Sequence, residues 1–160
     1  ISSDGKKYFR PIKSSFYKFS NKIRQKLFEI SNNFDENQYK LGSISSIESE
    51  LTKEYAKALN SFISKNDFKK VDLIGIHGQT VYHNPNNRIS LQLCDSKFLS
   101  EELKIKIVSD FRQNDLKYSG EGAPLVPIFH KTLVNHLNLK GNTIFINFTY
   151  PLSLDIKSSS

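Results

Sequence analysis

The longest regular pattern of apolar and polar residues lies between about residues 43 and 65. Apolar side chains recur there every three or four positions, and lysines and glutamates occupy most positions between them. This spacing places the apolar positions on one face of a helix, so we predict an amphipathic helix that packs against a core. The stripe consists of Ile44, Ile47, Leu51, Tyr55, Ala58, Leu59 and Phe62.

Shorter segments on both sides alternate between strand and helix patterns. Residues 1–5 and 8–12 are typical of a strand end, a turn and a short edge strand, and residues 20–31 show helical spacing after an N-cap at Ser20 or Asn21. Further along, we predict strands at 71–76, 89–93, 105–111 and 143–148, helices at 96–103 and 128–137, a turn at 83–88 and a loop at 119–127. Strands separated by helices favour an α/β layered domain.

Composition narrows the class of protein. A chain of 160 residues is normally one domain. The net charge of +7 comes mainly from lysine, and the basic surplus is strongest in the first 26 residues and otherwise scattered, whereas nucleic-acid sites cluster their basic residues on one face. We therefore expect no nucleic-acid partner. No apolar stretch approaches the ~20 residues of a membrane span, and a single cysteine fits a reducing compartment, so we expect a cytoplasmic protein.

Three polar clusters, at residues 77–80, 109–112 and 120–124, each follow a predicted strand. Strand ends of one α/β sheet open into one crevice, so we expect the three clusters to line a single cleft. Each cluster also has an ordinary structural interpretation. Gly78 fits a backbone turn with positive φ, and Asp110 and Arg112 fit a surface ion pair that contributes ~0–1 kcal/mol.

Other kinds of site are less well supported. His77, His83, Cys94 and Asp95 lack the spacing of a zinc site, so we predict no metal site. Cys94 directly follows an alternating strand, which favours a half-buried structural thiol over a nucleophile. Neither a Walker-type nor a dinucleotide-binding glycine loop occurs in the sequence.

The combination of clusters is more specific than any one of them. The segments "DLIGIHGQTVYHNP", "SLQLCD" and "IKIVSDFRQNDLKYSGEGAPLVPIFH" occur in this order and spacing. They resemble the anhydro-N-acetylmuramic acid kinase family, whose members carry Ile-Gly-x-His-Gly-Gln-Thr-Val-x-His-x-Pro, Leu-Gln-Ile-Gly-Asp, and Val-x-Asp-Phe-Arg followed by Gly-Gln-Gly-Ala-Pro-Leu-Val-Pro. The match is dense over residues 71–130 and weaker over residues 43–65.

The resemblance implies a fold and a reaction. The fold is a partial domain of the sugar kinase, Hsp70 and actin type, which is ribonuclease H-like, with a mixed sheet and flanking helices. Residues 1–150 would form part of the first of two domains, and residues 151–160 a divergent tail. The reaction belongs to peptidoglycan sugar recycling and uses ATP and Mg²⁺. Water opens the 1,6-anhydro ring of an amino sugar while the freed hydroxyl is phosphorylated.

The resemblance also implies which residues contact the sugar. An arginine suits the lactyl carboxylate of a muramic sugar, because a guanidinium binds carboxylates through two parallel hydrogen bonds. Amide and hydroxyl side chains suit the sugar's own donors and acceptors. The implied substrate-binding residues are His77, Gly78, Gln79, Thr80, Asp110, Arg112, Gly122 and Pro124.

Departures from the family pattern limit the expected activity. The phosphate loop Met-Ser-Gly-Thr-Ser-x-Asp-Gly and the segment Asp-x-Gly-Pro-Gly-Asn, which carries the general base, have no counterpart in this sequence. We therefore assign no catalytic residue and expect the chain alone to be inactive and to bind no ATP. The alternative is a non-catalytic sugar- or partner-binding remnant. Independently of this choice, we expect the chain to self-associate or to be complemented by another chain. Cys94 replaces a glycine, and Glu121 replaces a glutamine beside a site for an anionic sugar.

Overall fold

The computed structural model describes residues 2–4, 8–10, 12–35, 44–123 and 127–138. The strands in these residues are β1 (Ser2–Ser3), β2 (Phe9–Arg10), β3 (Leu73–Gly75), β4 (Gln79–Asn84), β5 (Ile89–Leu93) and β6 (Lys106–Val108). The helices are α1 (Asn21–Asn32), α2 (Ser45–Lys65), α3 (Ser96–Leu103), α4 (Gln113–Lys117) and α5 (Pro127–His136).

Helix α1 begins where the sequence predicts it. The side-chain oxygen of Ser20 accepts a hydrogen bond from the backbone N–H of Ile23 at 3.4 Å. This bond satisfies one of the N–H groups that the first turn of a helix leaves without a partner. Ile23 and Leu27 lie one helical turn apart and are both buried.

Helix α2 is the predicted amphipathic helix. Ile47 and Leu51 of the predicted stripe are buried. Thr52 is also fully buried, and its hydroxyl donates a hydrogen bond to the carbonyl oxygen of Glu48 at 2.7 Å. No helix in the described part of the chain is long and apolar enough to cross a membrane.

The core lies between α1, α2 and the hairpin formed by β4 and β5. Complete burial of one large aliphatic side chain contributes about 1.5–3 kcal/mol, so this cluster is the main source of stability in the described residues. Phe34 stacks on Tyr82 at its margin, with ring centroids 4.3 Å apart. The buried members are Ile23, Leu27, Ile47, Leu51, Val81, Leu91 and Leu93.

The described strands form three two-stranded sheets. The pairs β1–β2 and β4–β5 are antiparallel, whereas β3 and β6 are parallel. A hydrogen bond from the backbone N–H of Ile76 to the carbonyl oxygen of Val108, 2.9 Å long, continues the parallel pairing beyond β3. The carboxyl ends of β3 and β6 therefore lie at the same edge. Helices combined with parallel and antiparallel strand pairs confirm a mixed α/β fold.

Two elements differ from the sequence prediction. Residues 79–84 form strand β4, where the sequence predicts a polar strand end followed by a turn, and the turn is confined to the 3₁₀ segment Pro85–Asn87. Helix α4 lies where no regular element is predicted. The predicted strand at 143–148 and the tail at 151–160 lie outside the described residues.

Candidate functional site

Two of the predicted clusters meet at the carboxyl edge of β3 and β6. His77 follows β3 and Arg112 follows β6, and the Nε of Arg112 donates a hydrogen bond to Nε2 of His77 at 3.2 Å. Since a guanidinium can only donate, Nε2 is the acceptor and the ring proton resides on Nδ1. Nδ1 lies 3.3 Å from the carbonyl oxygen of Gly78, which can accept a hydrogen bond from Nδ1–H.

The guanidinium of Arg112 forms a hydrogen bond through Nε, and its two terminal nitrogens are available to a ligand. Among the described residues, those two nitrogens have no hydrogen-bond or ion-pair partner, and the surface ion pair with Asp110 is not present. Burial lowers the pKa of Arg112 from its ordinary value, but an arginine remains charged at neutral pH. An open guanidinium fork of this kind can bind a carboxylate through two parallel bonds.

Asp110 turns the chain from β6 towards α4. Its φ is 58°, a left-handed conformation that aspartate tolerates better than most residues. Its carboxylate is exposed and accepts a hydrogen bond from the Ser109 hydroxyl at 3.3 Å, and its carbonyl oxygen accepts one from the backbone N–H of Gln113. Asp110 therefore offers an exposed carboxylate at the same strand edge.

Gly78 is required by the backbone of this edge. Its φ is +73°, and a Cβ at this position would lie 3.0 Å from the carbonyl oxygen of Leu93 and 3.3 Å from the Cβ of Cys94. The chain thus turns tightly against the end of β5. The structural interpretation of this glycine is confirmed.

Gln79 and Thr80 lie on strand β4. The Gln79 side-chain amide donates to the carbonyl oxygen of Thr80 at 3.2 Å, and the Thr80 hydroxyl lies 3.5 Å from the side-chain nitrogen of Gln92 across the hairpin. Both residues are partly buried. They belong to the hairpin beside the His77–Arg112 pair and have no hydrogen bond to either member.

The third cluster follows helix α4, so the prediction that it follows a strand is wrong. Gly122 is buried with a φ of +68°, and a Cβ there would lie 3.4 Å from the Cβ of Arg112. The glycine turn therefore lies beside the stem of Arg112, with no room for a larger side chain between them. Pro124 lies outside the described residues.

A polar network on the β4–β5 hairpin escaped the sequence analysis. The Ser90 hydroxyl lies 2.9 Å from Nδ1 of His83 and accepts a hydrogen bond from the Gln92 amide at 2.6 Å, while Gln113 donates to the Ser90 carbonyl oxygen at 2.8 Å. Burial and the charge of Arg112 lower the pKa of His83. The cross-strand pairing of His83 with Ser90 would have revealed this network, but it requires the hairpin register.

The environment of Cys94 disfavours a thiolate. Burial, together with the nearby carboxylates of Glu48, Asp95 and Asp110, raises the pKa of the Cys94 thiol to about 11. This supports the interpretation of Cys94 as a structural thiol. Within the described ranges, no group of three or more histidine, cysteine, aspartate or glutamate side chains could hold a metal ion.

An apolar groove of about 370 Å³ lies beside strand β3, with Gly75 and Ile76 in its wall directly before His77. Helix α2 contributes Tyr55, Leu59 and Phe62, strand β3 contributes Ile74, and the extended segment at residues 14–17 borders the groove. None of the residues that the sequence predicts for the sugar site lines this groove. Its walls have few polar groups, so it is less suited to a sugar than the strand edge.

The fold and the strand edge define the class of protein. It is an α/β domain with polar side chains gathered at the ends of parallel strands, where such domains bind small polar ligands. A family model described as anhydro-N-acetylmuramic acid kinase matches residues 2–148. The chain belongs to the anhydro-N-acetylmuramic acid kinase family, which confirms the resemblance found in the sequence.

Relatives from several bacteria are similar to this chain. An anhydro-N-acetylmuramic acid kinase from Pelagibacter ubique is 35% identical over 150 residues, which cover 92% of this chain and 40% of the relative. The kinase of that name from Agrobacterium fabrum is 32% identical over 154 residues, 92% of this chain and 41% of the relative. The one from Sulfurimonas denitrificans is 43% identical over 114 residues, 69% of this chain and 30% of the relative. The chain thus spans about two fifths or less of the length of these relatives.

Proposed function

We propose that this chain forms the sugar-binding side of a kinase that opens and phosphorylates 1,6-anhydro-N-acetylmuramic acid with ATP during cytoplasmic recycling of peptidoglycan sugars. Its fold would be part of the first domain of the sugar kinase, Hsp70 and actin type. The names of the relatives and the match over residues 2–148 support this proposal.

The single observation that carries the proposal is the contact between Arg112 and His77. The hydrogen bond to His77 fixes Nε, so the terminal nitrogens of Arg112 are presented as a fork at the strand edge. A guanidinium whose orientation is fixed can bind the lactyl carboxylate through two parallel hydrogen bonds. This carboxylate distinguishes a muramic sugar from other amino sugars. Gln79, Thr80 and Asp110 would then meet the hydroxyl and acetamido groups of the ring.

The described residues do not fit a triphosphate and its metal ion. A glycine turn binds phosphate when its backbone N–H groups are free. Here the N–H of Gly122 donates to the carboxylate of Asp115, and the N–H of Gly120 donates to the carbonyl oxygen of Asp115. The described part of the chain also contains no group of three or more histidine, cysteine, aspartate or glutamate side chains that could hold a metal ion. We therefore propose that the chain alone binds neither ATP nor Mg²⁺ and is inactive, which favours a non-catalytic sugar-binding role for the isolated chain.

Calorimetry tests the sugar site. The chain should bind 1,6-anhydro-N-acetylmuramic acid with a Kd between micromolar and millimolar, and the matched sugar without the lactyl group, 1,6-anhydro-N-acetylglucosamine, more weakly. Arg112→Lys keeps the charge but loses the fork, so the muramic sugar should bind about ten- to hundredfold more weakly, as expected for loss of a charge-assisted bond. Arg24→Lys, an exposed arginine on α1, serves as the control and should leave the Kd unchanged.

Two results would contradict the proposal. A flat titration with the wild-type chain would remove the sugar site, and equal affinity for both sugars would remove the role of Arg112. Phosphorylated sugar formed by this chain with ATP and Mg²⁺ would contradict the non-catalytic role instead.

We also propose that the chain self-associates. Phe16 is 90% exposed and lies next to the apolar groove, and Leu73 and Val108 of the parallel strand pair are exposed as well. Exposed apolar side chains promote association. Sedimentation velocity should show a dimer or larger species whose fraction falls in Phe16→Ser, whereas a monomer at all concentrations would refute self-association.

A further inference from the structure

Asp115 connects helix α4 to the glycine turn through both its side chain and its backbone. One carboxylate oxygen, Oδ2, accepts a hydrogen bond from the backbone N–H of Gly122 at 2.7 Å. The backbone carbonyl oxygen of Asp115 accepts a second hydrogen bond, from the backbone N–H of Gly120 at 2.8 Å. One residue therefore satisfies two N–H groups of the turn.

The turn is closely packed against α4. A Cβ at Gly120 would overlap the carboxylate of Asp115, and a Cβ at Gly122 would lie 3.1 Å from Cγ of Leu116, which is buried. A Cβ at Gly122 would also lie 3.4 Å from the Cβ of Arg112, so the turn lies beside the stem of the arginine whose Nε reaches His77. Loosening of the turn would open space beside this stem.

We infer that Asp115 is a positioning residue for Arg112: it holds the glycine turn against the arginine stem, so that the guanidinium keeps its contact with His77. The inference rests on the proposed function for the identity of the ligand that Arg112 meets. The position of Arg112 itself can be measured without that ligand.

An alternative role for Asp115 is simple charge compensation, because it lies in the first turn of α4, where the helix dipole favours an acidic residue. The two roles predict different responses to substitution. Asp115→Asn removes the charge but keeps an oxygen that can accept from Gly122, whereas Asp115→Glu keeps the charge and displaces the carboxylate by one methylene group. Positioning predicts that Asn is tolerated and Glu is not, and charge compensation predicts the reverse.

The experiment is NMR of the chain labelled with ¹⁵N, in wild type, Asp115→Ala, Asp115→Asn and Asp115→Glu. Asp72→Ala, which removes an exposed aspartate that forms an ion pair with Lys70, is the control. We expect the Gly122 amide to exchange about fivefold faster or more in the Ala and Glu variants, as for loss of one hydrogen bond. The Arg112 Nε–H signal should shift or broaden in the same two variants and stay close to wild type in Asp115→Asn and Asp72→Ala.

Affinity for 1,6-anhydro-N-acetylmuramic acid should fall in parallel with the change in the Arg112 signal. Unchanged Gly122 exchange and an unchanged Arg112 signal in the Glu variant would overturn the inference. Faster Gly122 exchange with an unchanged Arg112 signal would also overturn it, because Asp115 would then be only structural. If the wild type binds no sugar, the proposed function fails, but the Arg112 signal still decides the positioning role. If Asp115→Ala does not fold, the comparison of Glu with Asn gives the answer.

Discussion

Substitution of Gly78 by alanine should destabilise the chain strongly, because two independent constraints act on this residue. The backbone has a φ of +73°, in the left-handed region that alanine avoids. An added methyl group would also lie 3.0 Å from the carbonyl oxygen of Leu93 and 3.3 Å from the Cβ atoms of Gln92 and Cys94. The shortest of these distances is to a backbone atom, the carbonyl oxygen of Leu93, which cannot move aside as a flexible side chain can.

The size of the effect follows from these constraints. A left-handed alanine costs about 1–2 kcal/mol, and forcing an extra methyl group into a packed region costs about 1–3 kcal/mol. Alanine also lowers the conformational entropy of the unfolded chain, which offsets about 0.4–1 kcal/mol. We therefore expect the free energy of unfolding to fall by about 3 kcal/mol, within a range of about 1–4.5 kcal/mol. A fall of about 3 kcal/mol is a large share of the 5–15 kcal/mol that is typical of a domain.

Urea denaturation followed by circular dichroism measures this change. Gly75→Ala is the matched control, because Gly75 lies in strand β3 without a positive φ and an added methyl group would meet only the Phe111 ring, at 3.4 Å. The control should stay within about 1 kcal/mol of wild type. A similar small change for Gly78→Ala would refute the reasoning, since it would mean that the turn against β5 relaxes freely.

Four further predictions concern ionisable residues. Burial raises the pKa of Glu48, so stability is lost as pH rises through that pKa, and Glu48→Gln should stabilise the chain at pH 7. By contrast, hydrogen bonding to Lys26 lowers the pKa of Glu50, so Glu50→Gln should lose stability above pH 4.5 and little below it. Because the pKa of Cys94 rises from 9.0 to about 11, stability should fall between these pH values, and a thiol reagent should react slowly at pH 8 until the chain unfolds. Glu121→Gln should tighten binding of the anionic sugar about two- to fivefold in calorimetry, the effect of removing a like charge that acts through water. Equal pH profiles for the two glutamine variants, fast thiol reaction in the folded chain, or an unchanged Kd would contradict these expectations in turn.

The long helices could be predicted from the sequence because their signals are local. Ser20 caps α1 through a bond to a residue three positions away, and the stripe of α2 repeats over several turns, with Ile47 and Leu51 buried as expected. Helix α4 could not be predicted in the same way. Its five residues are too few to show a helical period, and its position depends on the turn at Asp110.

Strand β4 was missed because its pattern is set by its partner. Val81 is its one buried residue, while most of its other side chains are only partly buried. A register shift between Thr80 and Tyr82 also interrupts the alternation that marks a strand in sequence. Pairing with the more apolar β5 therefore defines β4, and that pairing is not visible in residues 79–84 alone.

The strand-end rule correctly anticipated that the clusters at 77–80 and 109–112 would lie together, but it could not supply their contact. The bond between Arg112 and His77 requires β3 and β6 to be direct parallel neighbours, with Gly75 opposite Val108. That register is fixed by interactions across more than thirty residues of chain. The sequence therefore predicts which edge of the sheet carries the site. The pairing of β3 with β6 determines which two side chains are in contact there.

Helix α2 links the core to this edge, which explains why a polar residue is buried in it. The backbone N–H of Asp95 donates to the Thr52 hydroxyl at 2.9 Å, and the backbone N–H of Cys94 donates to the Glu48 carboxylate at 3.1 Å. These two bonds hold the turn after β5, which is the surface against which Gly78 packs. These bonds are partly buried, and a typical hydrogen bond contributes about 0.5–1.5 kcal/mol, so Thr52 and Glu48 stabilise this turn as acceptors in a way that apolar residues could not. The amphipathic helix therefore has two roles: one face fills the core, and two polar positions fix the turn on which the strand edge depends.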